Sequence, residues 1–265
     1  RNTAATRAYI YEDFTLTADI DLMGADWEPI NDYYGTFDGG GHTIKGLKVS
    51  SGGNYAGLFG YLGGVVKNLT VEGANVKGGN AGAIGTNNAG YIIACRVINC
   101  TVEGSGKAGG IVGHNGGVVV ACHTKGGSIQ GNSSGGIVGV NYRKIIACVA
   151  EPGTVSGCLF PGVLVGDNYF DGLLTACYCR AGKAVGFDYT TNPHTIPQLD
   201  ADDGITTGEC DDMNTAIENY NNNLQWHEAH ALCTFRWSST SIPGSGGGVT
   251  IDGFDDEGEI PVGDD

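Results

Sequence analysis

Gly109-Gly110-Ile111-Val112-Gly113-His114-Asn115-Gly116-Gly117-Val118-Val119-Val120-Ala121-Cys122 returns 26 residues later as Gly135-Gly136-Ile137-Val138-Gly139-Val140-Asn141-Tyr142-Arg143-Lys144-Ile145-Ile146-Ala147-Cys148. Weaker copies of the five-residue head lie on both sides, as Ala56-Gly57-Leu58-Phe59-Gly60, Ala81-Gly82-Ala83-Ile84-Gly85 and Gly162-Val163-Leu164-Val165-Gly166. The closing glycines are 25, 28, 26 and 27 residues apart, and a period in this range marks stacked repeat units.

Other positions keep the step. Two residues after the last four closing glycines stand Asn87, Asn115, Asn141 and Asn168. An aliphatic series runs Val66, Ile92, Val119, Ile145 and Leu174, followed three residues on by Leu69, Cys95, Cys122, Cys148 and Cys177, with Ala94, Ala121, Ala147 and Ala176 before the cysteines. A third series is Val76, Val102, Ile129 and Val155. Each unit therefore reads as three short strand blocks separated by Gly/Asn turns, with no stretch long enough for a crossover helix. Strands of four or five residues bury nothing alone, so the units must stack at the ~4.8 Å strand spacing, with like residues above like. The fold class expected is all-β, a three-stranded parallel β-helix. Asn87, Asn115, Asn141 and Asn168 form one internal ladder, and Cys95, Cys122, Cys148 and Cys177 another, the latter as buried free thiols because stacked parallel Cβ vectors do not suit a disulfide.

The flanks read as caps. Phe14 to Leu22 alternates as a strand, and Gly35 to Leu47 as two strands around Gly39-Gly40-Gly41, which lacks the Lys-Ser/Thr ending of a phosphate loop. The β-helix with its N-terminal cap is assigned to residues 1–186, a C-terminal capping segment to 187–242, and a Gly-rich linker with an acidic tail to 243–265. In the capping segment, Asp211 to Asn222 is predicted helical with Met213, Ile217 and Tyr220 on one face, and Ala231 to Ser238 alternates as a strand.

Composition restricts function. Among 265 residues there are 47 glycines but only 7 prolines, which excludes collagen, and the 41% apolar content supports a core. A net charge of −15 without a basic cluster excludes nucleic acid as partner and disfavours acidic polysaccharides. No apolar run is long enough to span a membrane. The charge suits a monomer, and a first residue that is Arg rather than Met fits removal of a leader.

The two quoted units resemble the GLUG-motif repeats of bacterial surface proteins, whose unit reads like Gly-Gly-Leu-Val-Gly-x-Asn-x-Gly-x-Ile-x-Asn-Cys. Ala121 and Ala147 replace the Asn before Cys. The segments Ala18 to Leu22, Trp27 to Ile30 and Thr36 to Gly39 also look like what precedes the repeats in that family. The resemblance covers residues 14–186. It implies a right-handed β-helix, export to the medium or cell surface, and an adhesin-like role contacting glycans or proteins along the flank. It supplies no catalytic residue; the alternative is a polysaccharide lyase or glycoside hydrolase on the same fold.

Candidate sites follow. Tyr142, Tyr169 and Phe170 come just after the Asn row in adjacent units and are expected to line one edge as a binding surface. Asp167 and Asp171 are the acidic pair able to converge in a turn, although Thr86, His114 and Val140 occupy the matching position elsewhere. Gly131-Asn132-Ser133-Ser134-Gly135 has Gly-x-Ser-x-Gly spacing but lacks the following helix, and so reads as a turn. His227, His230 and Cys233 are weak zinc candidates in an unfamiliar spacing; no cofactor is expected beyond calcium at Asp200 to Asp203 or Asp252 to Glu257. Cys210 and Cys233, outside the repeats, are the candidate disulfide.

Overall fold

A computed structural model describes residues 9–50, 53–180, 182–190, 198–199 and 207–238. The linker from Pro243, the acidic stretches Asp200 to Asp203 and Asp252 to Asp265 lie outside the described residues.

The chain is a parallel β-solenoid of about six turns. Five sheets of 5–8 strands run along it, every strand pairing in parallel with its equivalent one coil away. The aliphatic series is a single register column, Val66–Ile92–Val119–Ile145–Leu174, and so is Val76–Val102–Ile129–Val155. Both point inward and build the long apolar core with Leu69, Ile84, Ile111, Ile137 and Leu164. Cys95, Cys122 and Cys148 are next-door neighbours: the backbone N–H of Cys95 lies 3.5 Å from the Cys122 sulfur, and that of Cys122 lies 3.4 Å from the Cys148 sulfur. All nine cysteines are free thiols.

The strand blocks are bent. In one coil the second block is Val118–Val120 and His123–Lys125, broken at Ala121; the next coil's head is Ser133–Gly135 and Val138–Asn141; Ser128–Gln130 stands alone between them. The three blocks are thus five short strands per coil. The break in the second block is a left-handed corner: Asn68, Ala94, Ala121, Ala147 and Ala176 all have φ between 47° and 53°, or 54° at Ala121. That conformation costs an L-residue with a Cβ about 1–2 kcal/mol, and after Gly it is Asn and Asp that adopt it most readily.

The Asn ladder is shifted by one residue at its first step. Asn88, not Asn87, is the partner of Asn115, because the strand Gly85–Asn88 aligns Gly85 with Val112 rather than with Gly113. Asn87 instead pairs with His114 on the outward-facing position. The ladder then runs Asn88, Asn115, Asn141, Asn168, each Nδ2 donating to the next Oδ1 at 2.8 Å, and ends with Asn168 donating to Asp188 at 3.2 Å. Val185–Asp188 adds a further rung beyond residue 184, only 20 residues after Val165. At the other end Phe14–Thr15 and Ile20–Asp21 pair in parallel with Thr36–Asp38 and Thr43–Lys45, so the N-terminal segment is itself a coil of the stack.

The C-terminal segment packs on the side of the stack. The helix Thr207–Asn222 buries Met213, Ile217 and Tyr220 with Cys210, Ala231, Cys233, Phe235 and Trp237 against Ile93, Val120, Ile146 and the corner alanines Ala94, Ala121 and Ala147. Those corners carry Ala in place of Asn because an apolar layer covers them; Asn68, in the coil where the corner is only half-buried, keeps the amide. Residues 232–238 alternate exposed and buried as the sequence suggests but join no sheet. Helix side chains stand in for the missing strand: Asn221 exchanges hydrogen bonds with the backbone of Cys233 (2.8 and 3.0 Å), and Asn214 with that of Trp237 (2.9 and 2.8 Å).

Candidate functional site

The residue after each late ladder asparagine is a tyrosine. The N–H groups of Tyr142, Tyr169 and Tyr189 donate to the carbonyls of Asn115, Asn141 and Asn168 one coil away. That fixes the tyrosines one rung apart, and their rings stack: Tyr142 on Tyr169 at 4.5 Å and 12°, Tyr169 on Tyr189 at 4.6 Å and 15°. His114 continues the row toward earlier coils, 5.0 Å from Tyr142. Phe187 and Phe170 lean on Tyr189 at 4.4 and 6.2 Å. The sequence places Tyr142, Tyr169 and Phe170 together, and the structure does so, while Tyr189 and Phe187 lie beyond the repeat as read from sequence. The faces of Tyr169 are covered by its neighbours. The accessible surface is Tyr142, the Phe170 ring, which is 73% exposed, and Phe187 with Leu173 close to half-exposed.

Asp167 and Asp171 do not form a pair. Asp167 is buried and accepts from the Ser133 hydroxyl at 2.7 Å, while Asp171 stands exposed in the turn after Phe170. Burial pushes the Asp167 carboxyl up despite Ser133 and the positive charge of Lys107 nearby. Burial likewise lowers Lys107, and burial together with the Lys107 charge takes His114 down to about 4, so His114 is neutral at physiological pH. Ser133 is therefore a hydrogen-bond donor to a buried carboxylate.

The zinc candidates are not assembled. His227 and His230 are exposed and Cys233 is buried; among the described residues no three His, Cys, Asp or Glu side chains are close enough to hold a metal ion. Cys210 and Cys233 are not bonded to each other. Each packs in the apolar layer under the helix, where burial raises the thiols to about 11 and about 12.

Sequence reading missed a groove beside the tyrosine row. A cleft of about 430 Å³ opens between the helix and the solenoid flank, with Ile146 and Leu224 among its apolar walls and Asn219, Lys144 and Glu228 among its polar ones. A second hollow of about 250 Å³ shares Tyr91, Val118, Lys144 and Glu228 with it and continues over Ala89-Gly90 and Gly116-Gly117 to Arg143. The floor is low because the stack demands it: a Cβ on Gly117 would lie 2.2 Å from the Gly90 carbonyl oxygen, and one on Gly90 1.9 Å from that of Gly64. The signal was present in the sequence, since Tyr142-Arg143 stands where the two preceding units have Gly116-Gly117 and Ala89-Gly90.

No known family profile matches the chain. It is 40% identical over 94 residues to a "Putative Gly-rich membrane protein" of Evansella cellulosilytica, and 40% identical over 100 residues to Halomucin of Haloquadratum walsbyi. Each match covers 31% of this chain, but only 11% of the first relative and 1% of the second, so the chain spans a small part of either. Among solved structures it is similar to a "putative immunoglobulin A1 protease" from Bacteroides ovatus, with a TM-score of 0.51 and 20% identity over 82% of this chain and 84% of that one. At that identity the likeness is one of fold, a parallel β-helix.

Proposed function

We propose that this chain is a GLUG-type module of an exported or cell-surface protein, and that it binds glycan or protein through the edge of its last coils without performing chemistry. The observation that carries this reading is the cluster of exposed rings and aliphatics at Tyr142, Phe170, Leu173 and Phe187, spread over the last three coils. Large apolar side chains grouped on a rigid flank form a surface that gains free energy by being covered. The names of the two relatives, a membrane protein and a halomucin, support a place at the cell boundary. Binding rather than turnover is favoured by the carboxylates, since Asp167 is spent on Ser133 and leaves Asp171 without an acidic partner across a bond.

The test is Phe170→Ser with Phe187→Ser, both at solvent-exposed positions, compared with wild type on a glycan array and on immobilised bacterial and mucous surfaces. Binding is expected to fall at least tenfold with folding unchanged by circular dichroism. Undiminished binding, or release of reducing sugars from any polysaccharide, overturns the reading.

A further inference from the structure

The groove beside the tyrosine row has features of its own. Arg143 and Lys144 are adjacent, exposed cations in a chain of net charge −15; neither head group has a contact ion pair or hydrogen bond among the described residues, and the Lys144 charge acts on Glu228 only from across the hollow. Both line the same hollow. Their backbone is clamped by the asparagine ladder. Asn141 accepts from the Arg143 N–H at 3.3 Å and donates to the Arg143 carbonyl at 2.9 Å, while Asn115 donates to the Lys144 carbonyl at 3.3 Å. The two cations thus project from a rigid corner over a floor of Ala89, Gly90, Gly116 and Gly117. Across the hollow Glu228 is held by the Tyr91 hydroxyl and by the Gln225 N–H, and those hydrogen bonds keep its carboxyl ionised.

We infer that this groove binds the carboxylate of an acidic sugar, such as a uronic acid, with Arg143 and Lys144 holding the carboxylate and the Glu228 side accepting ring hydroxyls. A guanidinium offers a planar fork that a carboxylate fits in a bidentate manner. The fixed negative charge of Glu228 a short way off disfavours a second anionic group at the same subsite, so the fitting ligand pairs one carboxylate with neutral hydroxyl-bearing atoms. The glycine floor allows a flat ring to approach the backbone, and Tyr91 supplies an apolar wall. The combined space is of small-molecule size. The overall negative charge opposes acidic polymers at long range but is screened within about 8 Å at physiological salt, whereas a contact pair is not. This inference rests on the glycan arm of the proposed function but uses residues separate from Phe170 and Phe187.

The experiment is calorimetric titration with galacturonate and glucuronate oligosaccharides and with the same compounds after reduction of their carboxyl groups. Wild type is expected to bind the acidic forms, at least tenfold more weakly after carboxyl reduction, and progressively more weakly with added salt. Arg143→Gln with Lys144→Gln is expected to abolish that preference, and Phe170→Ser with Phe187→Ser to leave it in place. Equal affinity for acidic and reduced sugars, or unchanged affinity in the Arg143/Lys144 variant, overturns the site while leaving the exposed edge as a binding surface. Binding of acidic peptides in preference to all uronates overturns it as well.

Discussion

Ala121 sits at φ 54° with its methyl buried, in a place where the resembling repeats carry Asn. Two demands meet there. The left-handed backbone costs any residue with a Cβ about 1–2 kcal/mol and Asn escapes only part of that, while the apolar layer from the C-terminal segment penalises an unpaired amide by about 1–3 kcal/mol. Burial wins, so Ala121→Asn is expected to lower stability by about 1 kcal/mol or more in urea unfolding; a rise in the midpoint would show that the corner is not sealed in solution. The same comparison explains why the ladder asparagines are kept although fully buried. Each Nδ2 and Oδ1 of Asn115 and Asn141 is matched by a neighbouring coil or by backbone, so the amides carry no desolvation penalty left uncompensated.

At the level of elements, the C-terminal segment is a brace laid across coils. Trp237 donates its indole N–H to the Ala147 carbonyl at 3.0 Å and packs edge-on to His123, and the Tyr178 hydroxyl donates to Asp212 on the helix. The indole is thus one of several ties between the brace and the stack, beside Tyr178–Asp212 and Tyr91–Glu228. Trp237→Ala is expected to cost about 3–5 kcal/mol, the usual range for emptying a buried aromatic site. Hydrogen exchange should then speed up first in Thr207–Asn222. Protection lost equally through the core strands would show instead that brace and solenoid unfold as one unit. The helix was readable from Met213, Ile217 and Tyr220 because one apolar face recurs at helical spacing. The extended run after it was readable as alternation, but not its partner: that Asn214 and Asn221 supply the hydrogen bonds of a missing strand depends on two segments meeting in space.

For the molecule as a whole, three coils and the brace meet at a buried charge cluster. His123 lies 2.9 Å from Glu151, which also accepts from Arg180 Nε at 2.9 Å. Burial raises the Glu151 carboxyl, but the hydrogen bonds and charges of His123 and Arg180 outweigh it and hold the group at about 2, against an ordinary 4.5. Its stabilisation is therefore complete above about pH 4.5 and is lost as pH falls toward 2, a contribution on the order of 3 kcal/mol. Burial also lowers His123, with Arg96 and Lys125 adding to it and Glu151 opposing. The unfolded chain takes up that proton below about 6.5 and the folded one resists it, so this group too costs stability on acidification. Urea midpoints measured from pH 7 to pH 3 should fall steadily in the wild type and less steeply in Glu151→Gln, which starts from a lower value at pH 7. Parallel profiles would show that other carboxylates govern acid unfolding.

The amino-acid sequence by itself determined the coil. A recurring block of some 26 residues with aliphatics at fixed offsets has one way to bury them, which is to stack, and stacking then dictates parallel pairing, the core columns and the cysteine row. It also placed Tyr142, Tyr169 and Phe170 on one edge. Register at the single-residue level was decided by tertiary structure: Asn87 and Asn88 are equally plausible in the string, and only the inward direction of one side chain, set by the strand pairing of Gly85 with Val112, chooses between them. The side-on docking of the C-terminal segment, the separation of Asp167 from Asp171, and the groove under Arg143 and Lys144 were likewise settled by packing. Each brings together residues whose distance along the chain carries no periodic signal, and for such contacts the shape of the finished surface is the only information there is.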